Sequence, residues 1–139
     1  MIKELVTDEG ILSTPCEAAT AEDAQIAQDL LDTIASIEDA GCLAANQIGQ
    51  TKAIAVYLDE ADEPHVVFNP KMKRALNAYR TVETCLTKEG ETKVTRYDRM
   101  TLLFDELKDG ALVPCEAQLE GFTAELAQHA IDHCKGKYL

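Results

Sequence analysis

His129 and His133 stand four residues apart in the segment QHAIDHCKG, a spacing that on a helix carries both imidazoles to one side, about one turn apart. Two such nitrogens can share one metal ion. Catalytic zinc or ferrous sites usually take three protein ligands and keep a position for water, so a third ligand must come from elsewhere in the chain. Five cysteines, Cys16, Cys42, Cys85, Cys115 and Cys134, are available. Any one of them serves as a small buried hydrophobe, a thiolate ligand or a nucleophile. Their odd number argues against a disulfide framework and for a reducing compartment. Histidines at this spacing also occur on ordinary solvated helices, so the pair means metal only in the right company.

The histidines belong to the last of the elements the pattern predicts. Phe122, Leu126, His129 and His133 follow one another at steps of four, three and four, and Gly136 ends the helix they define. A second helix is predicted from about Glu22 to Ile37, opened by a Thr20–Asp23 cap and carried by Ala27, Leu30, Leu31, Ile34 and Ile37. Ile11–Pro15, which precedes it, lacks periodicity and is expected to be extended. From Lys52 onward the runs KAIAVYL, HVVFNP, TKVTRY, MTLLFDEL and ALVPCEAQLE are rich in Val, Ile, Leu and Thr, with breaks at Asp59–Pro64 and at a Lys108-Asp109-Gly110 turn. They read as antiparallel strands, the turn being a hairpin signal. Strands between two helices, without strand and helix alternating, give an α+β class rather than a doubly wound one.

The chain's 139 residues suit a single domain, 1–139, with its own core. Hydrophobic residues at 46% and charged residues at 27% are ordinary for a folded globular domain, so disorder is not expected. Asp and Glu number 25 against 13 Lys and Arg, a formal charge of -12, which excludes the broad basic face that nucleic-acid binding needs. No apolar run approaches the roughly 18 residues of a membrane span, and the opening MIKELVTDEG lacks the apolar stretch of a signal peptide. A cytoplasmic location is expected.

Three segments supply the missing company. AGCLAANQIG at 40–49, Val82-Glu83-Thr84-Cys85-Leu86-Thr87, and the histidine segment resemble, in order, the G-x-G-x-A-A-x-Q, E-G-C-L-S and Q-H-E-x-D-H blocks of the peptide deformylases. ILSTPCE near the start and Phe68-Asn69-Pro70 add to the likeness, which spans nearly the whole chain. The resemblance implies a peptide deformylase-like fold, antiparallel sheets around a C-terminal metal-ligand helix. It implies Cys85, His129 and His133 as ligands of one divalent ion, Fe2+ or a substitute such as Zn2+ or Ni2+. A deprotonated thiolate suits such an ion. It further implies that the Gln47 side chain and the Leu86 backbone N–H face the formyl oxygen as it gains charge. Glu83 would hold the metal loop, Asp132 would pair with Arg96, and Cys42, Leu43 and Thr84 would line the substrate cleft. The implied substrate is an N-formylmethionyl peptide or nascent-chain N-terminus, and the product formate.

The chain departs from the pattern where it matters most. The family's Glu after the first histidine of the last block carries protons between water and leaving amine; here that position is Ala130. A positioned general base is worth about two to four orders of magnitude in rate. Ala40 and Cys42 replace the two glycines of the first block, and Thr84 and Thr87 replace the Gly and Ser of the second. Glu125, four residues before His129, is a turn too far along the helix to stand in. Deformylase activity is therefore expected to be strongly impaired. The alternative is a binding module that holds formylated or blocked N-termini without cutting them. A third class is an interaction domain whose metal only ties the last helix down, in which case chelation would lower stability alone.

Overall fold

The structure is a computed structural model describing residues 1–139. In chain order it contains α1 (Glu9–Leu12), α2 (Ala24–Ala35), β1 (Cys42–Ala44), β2 (Ile54–Leu58), β3 (Pro64–Cys85), β4 (Lys88–Lys108), β5 (Ala111–Glu120) and α3 (Gly121–Cys134). The five strands form one antiparallel sheet in sequential order. The α+β reading stands. No helix is long and apolar enough to cross a membrane.

The Thr20 cap forms as its sequence predicts: Thr20 Oγ1 accepts from the Glu22 N–H, and Asp23 Oδ2 accepts from the Thr20 N–H. The first turn, Ala21–Asp23, is a 3-10 turn, so the regular helix begins at Ala24 and stops at Ala35, inside the predicted Glu22–Ile37. The extended lead-in at Ile11–Pro15 is a correction. Its first residues complete α1, which Asp8 caps by accepting from the Gly10 and Ile11 N–H groups. One turn is too short to show an apolar period.

β3 and β4 are a second correction, because each is a single long strand where shorter runs are legible. Strand β3 continues past Asn69-Pro70 through the polar stretch KMKRALNAYRTV, and β4 joins TKVTRY to MTLLFDEL. The two pair along their whole length with register shifts between Phe68 and Lys71, Lys73 and Leu76, and Glu83 and Cys85. Each shift interrupts the two-residue alternation that a strand reading depends on. Asn69, at φ 53°, sits at the first shift, a backbone region Asn tolerates better than most residues. Its side chain bonds both the N–H and the carbonyl of Ala19. The Asp109-Gly110 turn behaves as its sequence predicts, with φ 51° and 78° joining Lys108 to Ala111.

Alternation along β1 and β2 divides the core. Leu43, Ile54 and Val56 pack on Leu30 and Ile34 of α2. Ala44, Ala55 and Tyr57 face the opposite way, onto Ala124, Ala127, Ala130 and Ile131 of α3. The ligand-bearing helix is thus clamped against the sheet by small residues that let backbone approach backbone.

Its end is fixed by Gly136, at φ 79°, where a Cβ would lie 2.6 Å from Pro15 N and 2.7 Å from Thr14 C. Both are backbone atoms, which cannot swing aside. Gly136→Ala is expected to destabilise the protein by about 2 kcal/mol or more, read as a fall in the denaturation midpoint. An unchanged midpoint would mean that the 13–16 segment is not held against α3.

Candidate active site

Cys85 closes β3 at the tight turn Leu86-Thr87, while His129 and His133 face that turn from α3. The two histidine Nε2 atoms are 3.0 Å apart, Cys85 Sγ is 3.3 Å from His133 Nε2, and all three donor atoms lie within 4.8 Å of one another. Both rings are at least nine-tenths buried.

A chain of polar contacts fixes this trio from behind. His129 Nδ1 lies 2.8 Å from Glu83 Oε1; with the proton on Nδ1 facing the carboxylate, Nε2 keeps its lone pair for a ligand. Arg96 grips the same carboxylate with two bonds, Nη2 to Oε1 at 2.7 Å and Nε to Oε2 at 2.8 Å. Its Nη1 donates to Asp132 Oδ2 at 2.6 Å. The Arg96 side chain is 4% exposed and that of Glu83 8%. Asn46 Nδ2 donates to the His133 carbonyl, and Gln47 Oε1 accepts from the Ala44 N–H at 2.9 Å. Gln47 Nε2 is thereby aimed at Thr87 Oγ1, 3.1 Å away, and at Cys85 Sγ, 3.5 Å away.

Burial alone would push the Cys85 thiol up, but hydrogen bonds from His129 and His133 outweigh it and bring the group from 9.0 down to about 5. Burial would likewise lower His129, but contact with Cys85 and Glu83 raises it from 6.5 to about 9. Glu83, despite burial, is held well below the usual carboxylate range by His129 and Arg96. An acidified thiol beside rings that draw positive charge is the electrostatic setting a cation needs, since a bound cation would take the place of the proton.

The donor set fits a divalent ion. Bonds of about 2.0–2.1 Å to nitrogen and 2.3 Å to sulfur imply edges of roughly 3.3–3.7 Å in a tetrahedron; the two edges that meet at His133, 3.0 Å and 3.3 Å, need slight spreading, and the edge from Cys85 to His129 lies within 4.8 Å. Beside the trio opens a cleft of about 880 Å³, lined by Cys42, Gln47, Thr84, Cys85, Leu86 and His129 among others.

Comparison with known proteins points the same way. The family described as polypeptide deformylase matches residues 2–139. The chain belongs to the peptide deformylase family. It is 34% identical to a peptide deformylase of Clostridium beijerinckii over 138 residues, 98% of each chain. It is 32% identical to one from Aquifex aeolicus over 98% of this chain and 84% of that one. Among solved structures, a peptide deformylase from Legionella pneumophila superposes with a TM-score of 0.79 at 28% identity, covering 99% of this chain and 83% of the other. A class I type b peptide deformylase from Acinetobacter baumannii, 20% identical, shares the fold at a TM-score of 0.84, covering 99% and 96%.

Within this peptide deformylase fold most of the anticipated residues converge, and the side chains of two, Leu43 and Ala130, do not reach the cleft. Leu43 is fully buried on the α2 side of β1, since alternation turns it away from its neighbour Cys42, and its side chain does not line the cleft. Cys42 does line it, its thiol pushed up to about 12 by burial. Glu83 is no surface carboxylate but the hinge of the Arg96 network. Ala130 lies 2% exposed against Ala44 and Ala127 and does not line the cleft. Glu125 lines the cleft but is tied to Tyr79, whose hydroxyl donates to it at 3.1 Å. Burial and the adjoining Glu83 raise its pKa.

Two residues carry more than their sequence suggests. Thr87, in the sequence only a departure from Ser, keeps the hydroxyl that accepts from Gln47 and is 2% exposed. Asn46, fully buried, ties the sheet side of the site to the end of α3. The signal for Thr87 is the shared hydroxyl; nothing local marks Asn46.

Proposed function

We propose that this chain is a metal-dependent amide hydrolase whose inherited reaction removes the formyl group from N-formylmethionyl peptides, releasing formate, and that Ala130 leaves it strongly impaired. The observation that carries the reading is the convergence of Cys85, His129 and His133 within 4.8 Å, at the wall of a cleft. Fe2+ is the favoured ion, with Zn2+ or Ni2+ as substitutes. Bound there, the ion supplies Lewis acidity and a nucleophilic water at neutral pH.

The chain's own groups do the rest. Gln47, anchored through its carbonyl oxygen, presents Nε2 to the formyl oxygen, and the Leu86 N–H presents a second donor as charge develops there. Glu83 sets the His129 tautomer, and Arg96 and Asp132 keep Glu83 in place. Thr84 and Cys42 shape the cleft for the substrate main chain. No side chain at position 130 can take the proton that the leaving amine needs. The substrate places the protein in the cytoplasm, where formylated chains emerge.

Purified protein is expected to hold one divalent ion per chain, to lose it on Cys85→Ala, and to release formate from a formyl-Met peptide at a rate far below that of a site with the carboxylate. Metal analysis paired with a formate assay checks this. A protein that takes up none of Fe2+, Ni2+ and Zn2+ would overturn the reading. The Ala130 methyl also favours a second reading, a binding module for formylated or blocked N-termini. Saturable binding of a formyl-Met peptide with no formate at any enzyme concentration would select it.

A further inference from the structure

The Leu86-Thr87 turn that joins β3 to β4 sends its two side chains opposite ways: Leu86 is 40% exposed, whereas Thr87 is 2% exposed and faces the Cys85 trio. A buried hydroxyl has one proton and must place it. The neighbours of Thr87 decide where. The Ala44 N–H can only donate, so the Gln47 amide atom 2.9 Å from it is the oxygen, and the atom 3.1 Å from Thr87 Oγ1 is the nitrogen. An amide nitrogen donates and does not accept, so Thr87 accepts there and must give its own proton elsewhere. Cys85 Sγ, at 3.4 Å, is the one acceptor within its reach. Apart from the two ligand rings, Thr87 and Gln47, the latter at 3.5 Å, are the groups that approach this sulfur, and no backbone N–H does.

The contacts form a chain of donors with a single direction, from the Ala44 N–H to Gln47 Oε1, from Gln47 Nε2 to Thr87 Oγ1, and from the Thr87 hydroxyl to Cys85 Sγ. We propose that Thr87 is a positioning residue that couples the two halves of the site: its proton draws charge from the metal-binding sulfur, while its oxygen pins one Gln47 N–H and leaves the other for the cleft. The proposal rests on the metal-site reading above and adds to it a side chain that touches neither ion nor substrate. Once a cation holds Cys85 as the thiolate, the sulfur has no proton to donate, so the direction from Thr87 to Cys85 becomes obligatory. A hydrogen bond to a ligand sulfur reduces the charge it passes to its ion, as in iron–sulfur sites. Bonds along such a chain polarise one another, so removing the middle hydroxyl is felt at both ends. The requirement is for a hydroxyl at position 87, which serine meets and valine, of the same shape as threonine, does not.

The test reads the sulfur directly and does not depend on turnover. The parent chain, Thr87→Ser and Thr87→Val would be loaded with Co2+, whose bond to a thiolate gives a charge-transfer band with an energy that follows the electron density on sulfur. In Thr87→Val the band is expected at lower energy, because a sulfur without its donor gives up charge more readily, and Co2+ affinity is expected to fall by about 10- to 100-fold. Thr87→Ser should restore both. A purely structural threonine would change the denaturation midpoint and leave the band in place. If the valine variant fails to fold or to hold Co2+, a measurement on the unmodified chain decides: with spin-active Cd2+ bound, the Thr87 hydroxyl proton should exchange slowly and show a coupling to cadmium through the sulfur. An unmoved band in a loaded valine variant, a serine variant that behaves like valine, or, where valine cannot be loaded, a hydroxyl proton uncoupled from cadmium would overturn the proposal while the metal-site reading stands. A parent chain with no sulfur-to-cobalt band would overturn both.

Discussion

Ala130→Glu is expected to raise formate release from formyl-Met peptides by about two to four orders of magnitude, the usual worth of a positioned general base. The expectation is not simply a matter of restoring a motif, because the Ala130 methyl lies in the core and not at the cleft. Ala130 is 2% exposed and packed against Ala44, Ala127 and Ile131. A carboxylate built there must either reach the cleft or remain in an apolar cluster, where burial costs stability and raises its pKa. A raised pKa suits a proton carrier working near neutrality, so activity should increase while the denaturation midpoint falls. Ala130→Gln separates the two effects: it brings the same bulk and the same midpoint loss without proton transfer, and should stay near the parent rate.

Cys42 decides how far this rescue can go. It stands where the family's first block has glycine, lines the cleft, and packs at the edge of the apolar cluster that holds Ala130. If Ala130→Glu binds metal yet stays slow, adding Cys42→Gly should release the activity by opening a path from position 130 to the cleft. A metal-loaded double variant that remains inert would mean that Ala130 is not the missing proton carrier's position.

His129 and His133 are legible because ligand chemistry restricts residue type and a helix fixes their spacing, whereas Cys85 stands out from the other four cysteines only through the family resemblance. The Asp109-Gly110 turn and the Thr20 cap are legible because each is a local bond with a local signature. The length of β3 is not, since three register shifts break its alternation and residues such as Leu76 and Val82 lie exposed on it. Leu43 is misplaced because a block shared with a family gives residue types, whereas the face each residue takes depends on strand parity. Resemblance locates the cleft; only the register tells which side chains enter it.

Arg96→Met is expected to destabilise the protein by about 3–5 kcal/mol, because it removes the shared cation of a buried network and leaves Glu83 only the His129 ring and Asp132 only the exposed Lys137 at 3.4 Å. Methionine roughly fills the volume, so the loss measures charge rather than a void. The pH dependence carries the sign of the effect. Glu83 is held below its ordinary 4.5 in the folded protein, so its contribution is fully present above that value and is lost as pH falls through the lower folded value. Without Arg96, burial opposes only His129 in setting Glu83, its folded pKa rises, and the variant should lose less stability than the parent on acidification below about pH 4.5. The His129 ring also loses its fixed anchor, so Ni2+ or Zn2+ affinity should drop by about 10- to 100-fold. A double variant, Arg96→Met with Glu83→Gln, should regain part of the stability, since it no longer buries an unpaired charge, and yet bind metal no better. Denaturant titrations near pH 7, above that window, and near pH 3, inside it, with a competitive metal assay would read both; equal pH sensitivity of parent and variant would show that Glu83 does not depend on Arg96.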